Sequence, residues 1–135
     1  MLILKQFFSV VLLASLIDAI WIGGVANSFY LNQIGEFART ENGKFSIVYW
    51  AAVGVYLAIA LAIVALALPL ANGRVGMAFV YGAVLGFAIY GTYDFTNHAT
   101  LKHWPVVLVV VDIAWGTFLC GITTAATEWM SLRWF

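Results

Sequence analysis

Residues 46–70 read S-I-V-Y-W-A-A-V-G-V-Y-L-A-I-A-L-A-I-V-A-L-A-L-P-L, and no charged side chain occurs between Lys44 and Arg74. A helix needs about 20 consecutive, mainly apolar residues to cross a hydrocarbon core about 30 Å thick. This stretch is long enough and apolar enough, so it predicts a transmembrane helix and places the chain among the membrane proteins.

Three other stretches of the chain have the same character. They lie at about residues 6–31, 75–93 and 105–127. An acid inside the first stretch, Asp18, and the lack of a small-residue cleavage site argue against a signal peptide, so we expect a retained first helix. The pattern predicts an all-α integral membrane protein, a four-transmembrane-helix bundle that forms a single membrane domain over residues 1–135. The polar residues 32–45 are predicted to form a solvated connecting loop.

The composition excludes several classes of protein. The chain is 64% hydrophobic and 9% charged, whereas soluble domains carry about a quarter charged residues. Its formal net charge is zero and it has no basic block, so we predict no nucleic-acid partner. The single cysteine, Cys120, has no second thiol for a disulfide and no second soft ligand for a metal, so we predict neither a metal site nor a cofactor.

Polar side chains are concentrated between Tyr90 and Gly116, in the stretch Y-G-T-Y-D-F-T-N-H-A-T-L-K-H-W-P-V-V-L-V-V-V-D-I-A-W-G. Polar groups are costly among apolar helices and often mark functional sites. Four of them share one face of a helix: Tyr90, Asp94, Asn97 and His98. Asp94 and His98 are spaced to pair as a general base or a proton relay. The alternative is a capped helix end with interfacial polar residues.

Two acids lie deep within the predicted helices, and both occur in the same short motif, D-x-x-W. Asp18 precedes Trp21 and Asp112 precedes Trp115, one helical turn apart in each case. An acid at the bilayer centre costs roughly 2.5–3.5 kcal/mol, so each should face protein or trapped water. The two aspartates either carry protons at a binding site or only hydrogen-bond neighbouring helices and fix their packing.

These considerations define a set of candidate residues. The side chains that we predict to bind a ligand or relay a proton are Asp18, Trp21, Asn27, Tyr90, Tyr93, Asp94, Asn97, His98, Lys102, Asp112 and Trp115. Gly82 and Gly86 form a G-x-x-x-G motif, and we predict close helix packing there and at Gly116. The motif does not identify the partner helix. An interfacial aromatic belt is predicted from Tyr49, Trp50 and Tyr56.

Several of these stretches are shared with a known group of proteins. The segments T-Y-D-F-T-N-H-A-T-L-K-H-W-P, V-V-D-I-A-W-G-T, D-A-I-W-I-G and F-Y-L-N-Q-I-G resemble the signature of a bacterial family of small predicted membrane proteins, domain-of-unknown-function family 2177. The resemblance covers nearly the whole chain. It implies a multi-pass membrane protein and no particular activity. We expect the family to have an apolar residue more often at the position of His98, which weakens a catalytic role for that side chain.

Three functions are compatible with the sequence. The first, which we favour, is binding or proton-coupled transport of a small or lipid-like molecule through a polar intramembrane site. Four short helices enclose little volume, so we expect a homodimer with the glycine faces at its seam, or another membrane subunit. The second is an enzyme acting on a lipid or isoprenoid through Asp94, His98 and Lys102, although no recognised catalytic set is present. The third is an accessory subunit. We expect the protein in the lipid bilayer of a bacterial inner membrane.

Overall fold

The computed structural model describes residues 1–135 and is almost entirely helical. Its elements are α1 (Leu2–Ile20) with a π-helical turn (Trp21–Val25), α2 (Asn27–Ile34), β1 (Thr40–Glu41), β2 (Lys44–Phe45), α3 (Tyr49–Ala62) with a second π-helical turn (Ile63–Ala67), α4 (Leu68–Ala71), α5 (Val75–Thr100) and α6 (Val106–Trp134). Four helical stretches are long and apolar enough to cross a membrane: Leu2–Val25, Tyr49–Ala71, Val75–Thr100 and Val106–Trp134. The predicted all-α membrane fold is confirmed.

The bounds of the predicted helices need correction at the polar ends. The first span stops at Val25, because Ala26 leaves the helical conformation with φ −108° and ψ 4°. The predicted loop, residues 32–45, contains the end of α2 and a two-stranded hairpin. That hairpin turns on Asn42 and Gly43, both with positive φ, as a tight two-residue turn requires. No proline or glycine interrupts residues 94–100, and α5 continues through them.

Helices α5 and α6 pack closely along the glycine positions of the sequence motif. A Cβ atom at Gly86 would overlap the carbonyl of Gly116, and one at Gly82 would overlap Thr124 and the carbonyl of Cys120. The partner of the G-x-x-x-G motif is therefore α6 of the same chain. Because these glycines are buried inside one chain, the expectation that they form the seam of a homodimer is wrong.

The chain order gives the molecule two distinct ends. The end of α1, the hairpin, the start of α3 and the α5–α6 connection lie together at one end, which we call the hairpin end. At the opposite end, Gln6 donates a hydrogen bond to Ser131 at 3.1 Å and the Lys5 amine lies 5.5 Å from the Phe135 ring centroid. Between the two ends, an apolar plug is formed by Val10, Ile59, Ala60, Ile63, Leu68 and Cys120.

The glycine contact gives a direct test of the packing of α5 against α6. We expect Gly86→Ala to lower the free energy of unfolding by about 1–3 kcal/mol, because the added methyl group meets the backbone of α6 and the helices must separate. Gly76→Ala is the matched control in the same helix, since nothing lies within 4 Å of a Cβ atom there. Thermal unfolding in detergent measures both variants. Equal midpoints for the two would contradict this packing.

Candidate functional site

The buried carboxylate of Asp18 joins three helices. Its two oxygens accept hydrogen bonds from the indole N–H of Trp115 at 2.8 Å and from the hydroxyl of Tyr56 at 2.9 Å. These contacts connect α1 to α6 and to α3. The aromatic-belt prediction is therefore wrong for Tyr56, which turns inward, whereas Tyr49 and Trp50 are about four-fifths exposed. Tyr56 turns inward because a buried acid needs hydrogen-bond donors.

The two D-x-x-W motifs meet each other across antiparallel helices. The rings of Trp21 and Trp115 stack with centroids 4.3 Å apart and planes at 10°. Trp115 donates directly to Asp18, and Trp21 donates at 3.3 Å to the hydroxyl of Tyr30. Tyr30 in turn donates to Asp112 at 2.5 Å. Each tryptophan is thus hydrogen-bonded to the aspartate of the other motif, Trp115 directly to Asp18 and Trp21 through the phenol of Tyr30 to Asp112.

Tyr30 lies outside the spanning helices and acts as a neutral donor. Burial and the neighbouring Asp112 carboxyl raise the pKa of its phenol well above the ordinary value. The hydroxyl therefore stays protonated. It donates a hydrogen bond to the Asp112 carboxyl and accepts one from the indole N–H of Trp21. This arrangement fixes the short helix α2 against α6.

Asp94 forms a carboxyl pair with Asp112. Asp94 is fully buried, and its Oδ1 accepts a long hydrogen bond of 3.4 Å from the indole of Trp104. Its Oδ2 is buried without a hydrogen-bond donor. The antiparallel register in which Gly82 meets Thr124 and Tyr90 meets Gly116 places Asp94 opposite Asp112. Ionised carboxylates only accept hydrogen bonds, so two carboxyls can bond to each other only when one of them holds a proton. A proton on one of the two groups would supply the donor that Oδ2 of Asp94 lacks.

Asp18 and Asp112 line a cavity of about 460 Å³ that reaches the connecting segment at the hairpin end, whereas Asp94 does not line it. Asp18 lies seven residues before Val25, the end of the first span, and Asp112 lies six residues after Val106, the start of the fourth. At a rise of 1.5 Å per residue, each is about 10 Å from that end. That distance is about a third of a 30 Å hydrocarbon core. Polar side chains lining the cavity are Asp18, Tyr30, Arg39, Ser46, Tyr56, Tyr90, Tyr93 and Asp112.

Tyr90 has a special position in this cavity. Its ring covers Gly116 so closely that a Cβ atom there would overlap it. Tyr90 lines the cavity, and its hydroxyl makes no hydrogen bond to the protein, unlike the hydroxyls of Tyr30 and Tyr56. A phenol in that state is free to bind a ligand.

Seven of the eleven predicted site residues do not line the cavity. Trp21, Asp94 and Trp115 hydrogen-bond side chains that do line it. The other four have no such contact. Asn27 begins α2, Lys102 is exposed in the α5–α6 connection, and neither they nor Asn97 and His98 line the cavity. The predicted Asp94–His98 pair is wrong, because His98 donates through Nδ1 to the carbonyl of Trp104 at 2.9 Å. That carbonyl lies in a tight connection where His103 has φ 64°, and the imidazole satisfies it.

The structure adds four residues that the sequence reasoning did not select: Tyr30, Arg39, Tyr56 and Trp104. Three of them donate hydrogen bonds to the aspartates, and Arg39 lines the cavity where it meets the connecting segment. A count of the donors that the buried acids need would have directed attention to phenols and indoles near helix ends.

A second polar region lies at the opposite end of the molecule. A cavity of about 390 Å³ is lined there by Gln6, Asn72, Glu128 and Ser131, among others, and Glu128 is only 5% exposed. The nearby buried hydroxyls of Thr123 and Thr127 have no hydrogen-bond partner. The apolar plug lies between this region and the first cavity.

The relay from Trp21 through Tyr30 to Asp112 predicts a stability effect. Tyr30→Phe removes a donor from Asp112 and an acceptor from Trp21, so we expect the free energy of unfolding to fall by about 1.5–3 kcal/mol. Tyr49→Phe is the control, since Tyr49 is 79% exposed and makes no side-chain hydrogen bond. Thermal midpoints in detergent compare the two. A loss of the same size in both variants would contradict the relay.

Comparison with known proteins places the chain in a family. A family model described as a predicted membrane protein, DUF2177, matches residues 3–129. No curated protein and no solved structure matches the chain. The match spans nearly the whole sequence and confirms the resemblance seen in the motifs, so the chain belongs to the DUF2177 family of predicted membrane proteins.

Proposed function

We propose that this protein binds a small molecule in the cavity at the hairpin end and carries it across the membrane in exchange for protons. One observation carries the proposal: Asp18 of α1 and Asp112 of α6 line the cavity, Asp94 of α5 lies opposite Asp112, and none of the three is paired with a cation of the chain. Buried acids that only fix packing need no open space beside them, yet two of these three line a cavity.

The walls of the cavity suit a small organic ligand. Binding sites for such molecules are concave, mainly apolar, about 300–1,000 Å³ in volume, and carry a few polar groups that fix orientation. This cavity has about 460 Å³, aromatic and aliphatic walls, and the free hydroxyl of Tyr90. We therefore expect Tyr90 to orient the ligand. Its hydroxyl makes no hydrogen bond within the protein, so it is not needed to hold the helices together.

Transport requires that the apolar plug opens toward the opposite end. Ile63 begins the π-helical turn in the second span, and Leu68 follows the last residue of that turn. Such turns interrupt the regular hydrogen bonding of a helix and are frequent at functional sites. We propose that α3 bends at residues 63–67 to connect the cavity with the polar region around Glu128.

We further propose the setting in which this occurs. Residues 1–135 act as one membrane domain in the inner membrane of a bacterium. If a homodimer or another membrane subunit forms, its interface is a surface other than the α5–α6 glycine face. We favour this function over the enzyme alternative, because His98 hydrogen-bonds the carbonyl of Trp104 and not Asp94, and Lys102 is exposed.

Ligand binding is tested by thermal stability in lipid nanodiscs against a panel of small molecules and lipids. A ligand at a hundred times its dissociation constant should stabilise the wild type by about 2.7 kcal/mol. Tyr90→Phe should keep the unliganded midpoint, because no hydrogen bond is lost, and should lose most of the response to the ligand.

Tyr49→Phe is the control, because Tyr49 is 79% exposed and does not line the cavity, so its response to the ligand should match that of the wild type. Two results together would contradict the proposal and support an accessory role. No compound in the panel would stabilise the wild type, and the aspartate variants would only unfold at a lower temperature.

A further inference from the structure

We infer that the ligand of this cavity is a small organic cation with an apolar body, and that it binds in exchange for the proton held between Asp94 and Asp112. The inference rests on the proposed function, because it names the class of molecule that the proposed site takes.

Acidic groups outnumber cationic ones around the cavity. Asp18 and Asp112 line it, Asp94 lies opposite Asp112, and none of the three carboxyl groups forms an ion pair. The other titratable groups that face them are the phenols of Tyr30, Tyr56, Tyr90 and Tyr93 and the thiol of Cys120. Arg39 is the one cationic side chain that lines the cavity, and it is exposed at the outer part. A cleft with charges of one sign attracts ligands of the opposite sign.

The walls of the cavity are largely aromatic. Six aromatic side chains line the cavity: Tyr30, Phe45, Tyr56, Tyr90, Tyr93 and Trp104. The faces of such rings are negative and attract organic cations, and aromatic cages are the usual recognition device for quaternary ammonium groups. An anion would meet acids and ring faces, both unfavourable. A neutral molecule would gain nothing from the three carboxyl groups.

The two carboxyl groups of α5 and α6 supply the exchangeable proton. The fully buried Oδ2 of Asp94 has no hydrogen-bond donor, and Asp112, opposite Asp94 in the α5–α6 register, lines the cavity while Asp94 does not. A cation beside Asp112 stabilises the ionised form of both carboxyls, so the shared proton leaves to water through the cavity. One positive charge enters and one leaves, and the total charge of the site is unchanged.

The test uses three benzyl compounds of similar shape on the full chain in lipid nanodiscs. Benzyltrimethylammonium carries a fixed positive charge, neopentylbenzene is its neutral isostere, and benzylsulfonate is the anionic counterpart. Titration calorimetry in buffers of different ionisation enthalpy gives affinity and the number of protons released. We expect the ammonium compound to bind at least tenfold more tightly than the other two and to release about one proton. Its affinity should fall at least tenfold from pH 8 to pH 5.

Two variants separate the carboxyl pair from general charge effects. Asp112→Asn should reduce the proton release to near zero and remove most of the pH dependence. Glu36→Gln should leave both unchanged, because Glu36 is an exposed acid in the segment that follows α2 and does not line the cavity. The proton count of the wild type needs no variant, so it decides the point even if Asp112→Asn does not fold.

Some outcomes would overturn the inference and leave the proposed function intact. Equal or tighter binding of neopentylbenzene or benzylsulfonate would show a site that does not select cations. Binding of the ammonium compound without proton release would overturn the exchange step. If none of the three binds, the cation inference fails, and the panel of small molecules and lipids decides separately whether the cavity binds any ligand.

Discussion

The hydrogen bonds to the Asp18 carboxylate are the interaction on which the rest of the structure depends. A charged or polar group without partners is very costly among apolar helices. Trp115 and Tyr56 satisfy its two oxygens, and in doing so they attach α6 and α3 to α1. The stacked pair of Trp21 and Trp115 then fixes the rotation of α1 against α6. One buried acid thus sets the positions of three helices.

The second constraint is the close backbone contact between α5 and α6. Glycines at 82, 86 and 116 remove the side chains that would keep these helices apart. The resulting register places Asp94 beside Asp112 and the ring of Tyr90 over Gly116. Packing chemistry that is common in membrane helices therefore creates an uncommon feature, two carboxyl groups side by side in a buried site. The placement of Asp94 and Asp112 therefore depends on the contact between α5 and α6 more than on any loop.

Much of the fold follows from hydropathy, and much of the site does not. An uncharged run such as residues 46–70 has few alternatives to a spanning helix. The small residues at 82, 86 and 116 predicted close packing, and the structure supplied the partner helix. Tyr56 could not be told from an interfacial tyrosine, because both occur in the first turns of an apolar helix. Its inward direction depends on Asp18, which lies far away in sequence.

Other features of the site depend on contacts that no local pattern contains. The D-x-x-W repeat was visible, but the exchange of partners between the two motifs requires antiparallel helices in one register. Because Asp94 and His98 share one face of a helix, the sequence predicts that the two side chains pair. The tight connection after α5 presents a carbonyl of Trp104 that binds the imidazole instead. Helical spacing shows which side chains share a face, and long-range packing decides which of them meet.

The central claim is that the acids of α1 and α6 line a cavity that water reaches from one end. Its most direct test is thiol accessibility in sealed vesicles with a charged, membrane-impermeant reagent, in a Cys120→Ser background. Tyr90→Cys lines the cavity and should be labelled, whereas Val84→Cys, six residues earlier in α5 and 62% exposed, should face lipid and remain unlabelled. Labelling confined to Tyr90→Cys is the predicted result. An unreactive Tyr90→Cys, or equal reaction of both positions, would contradict the account.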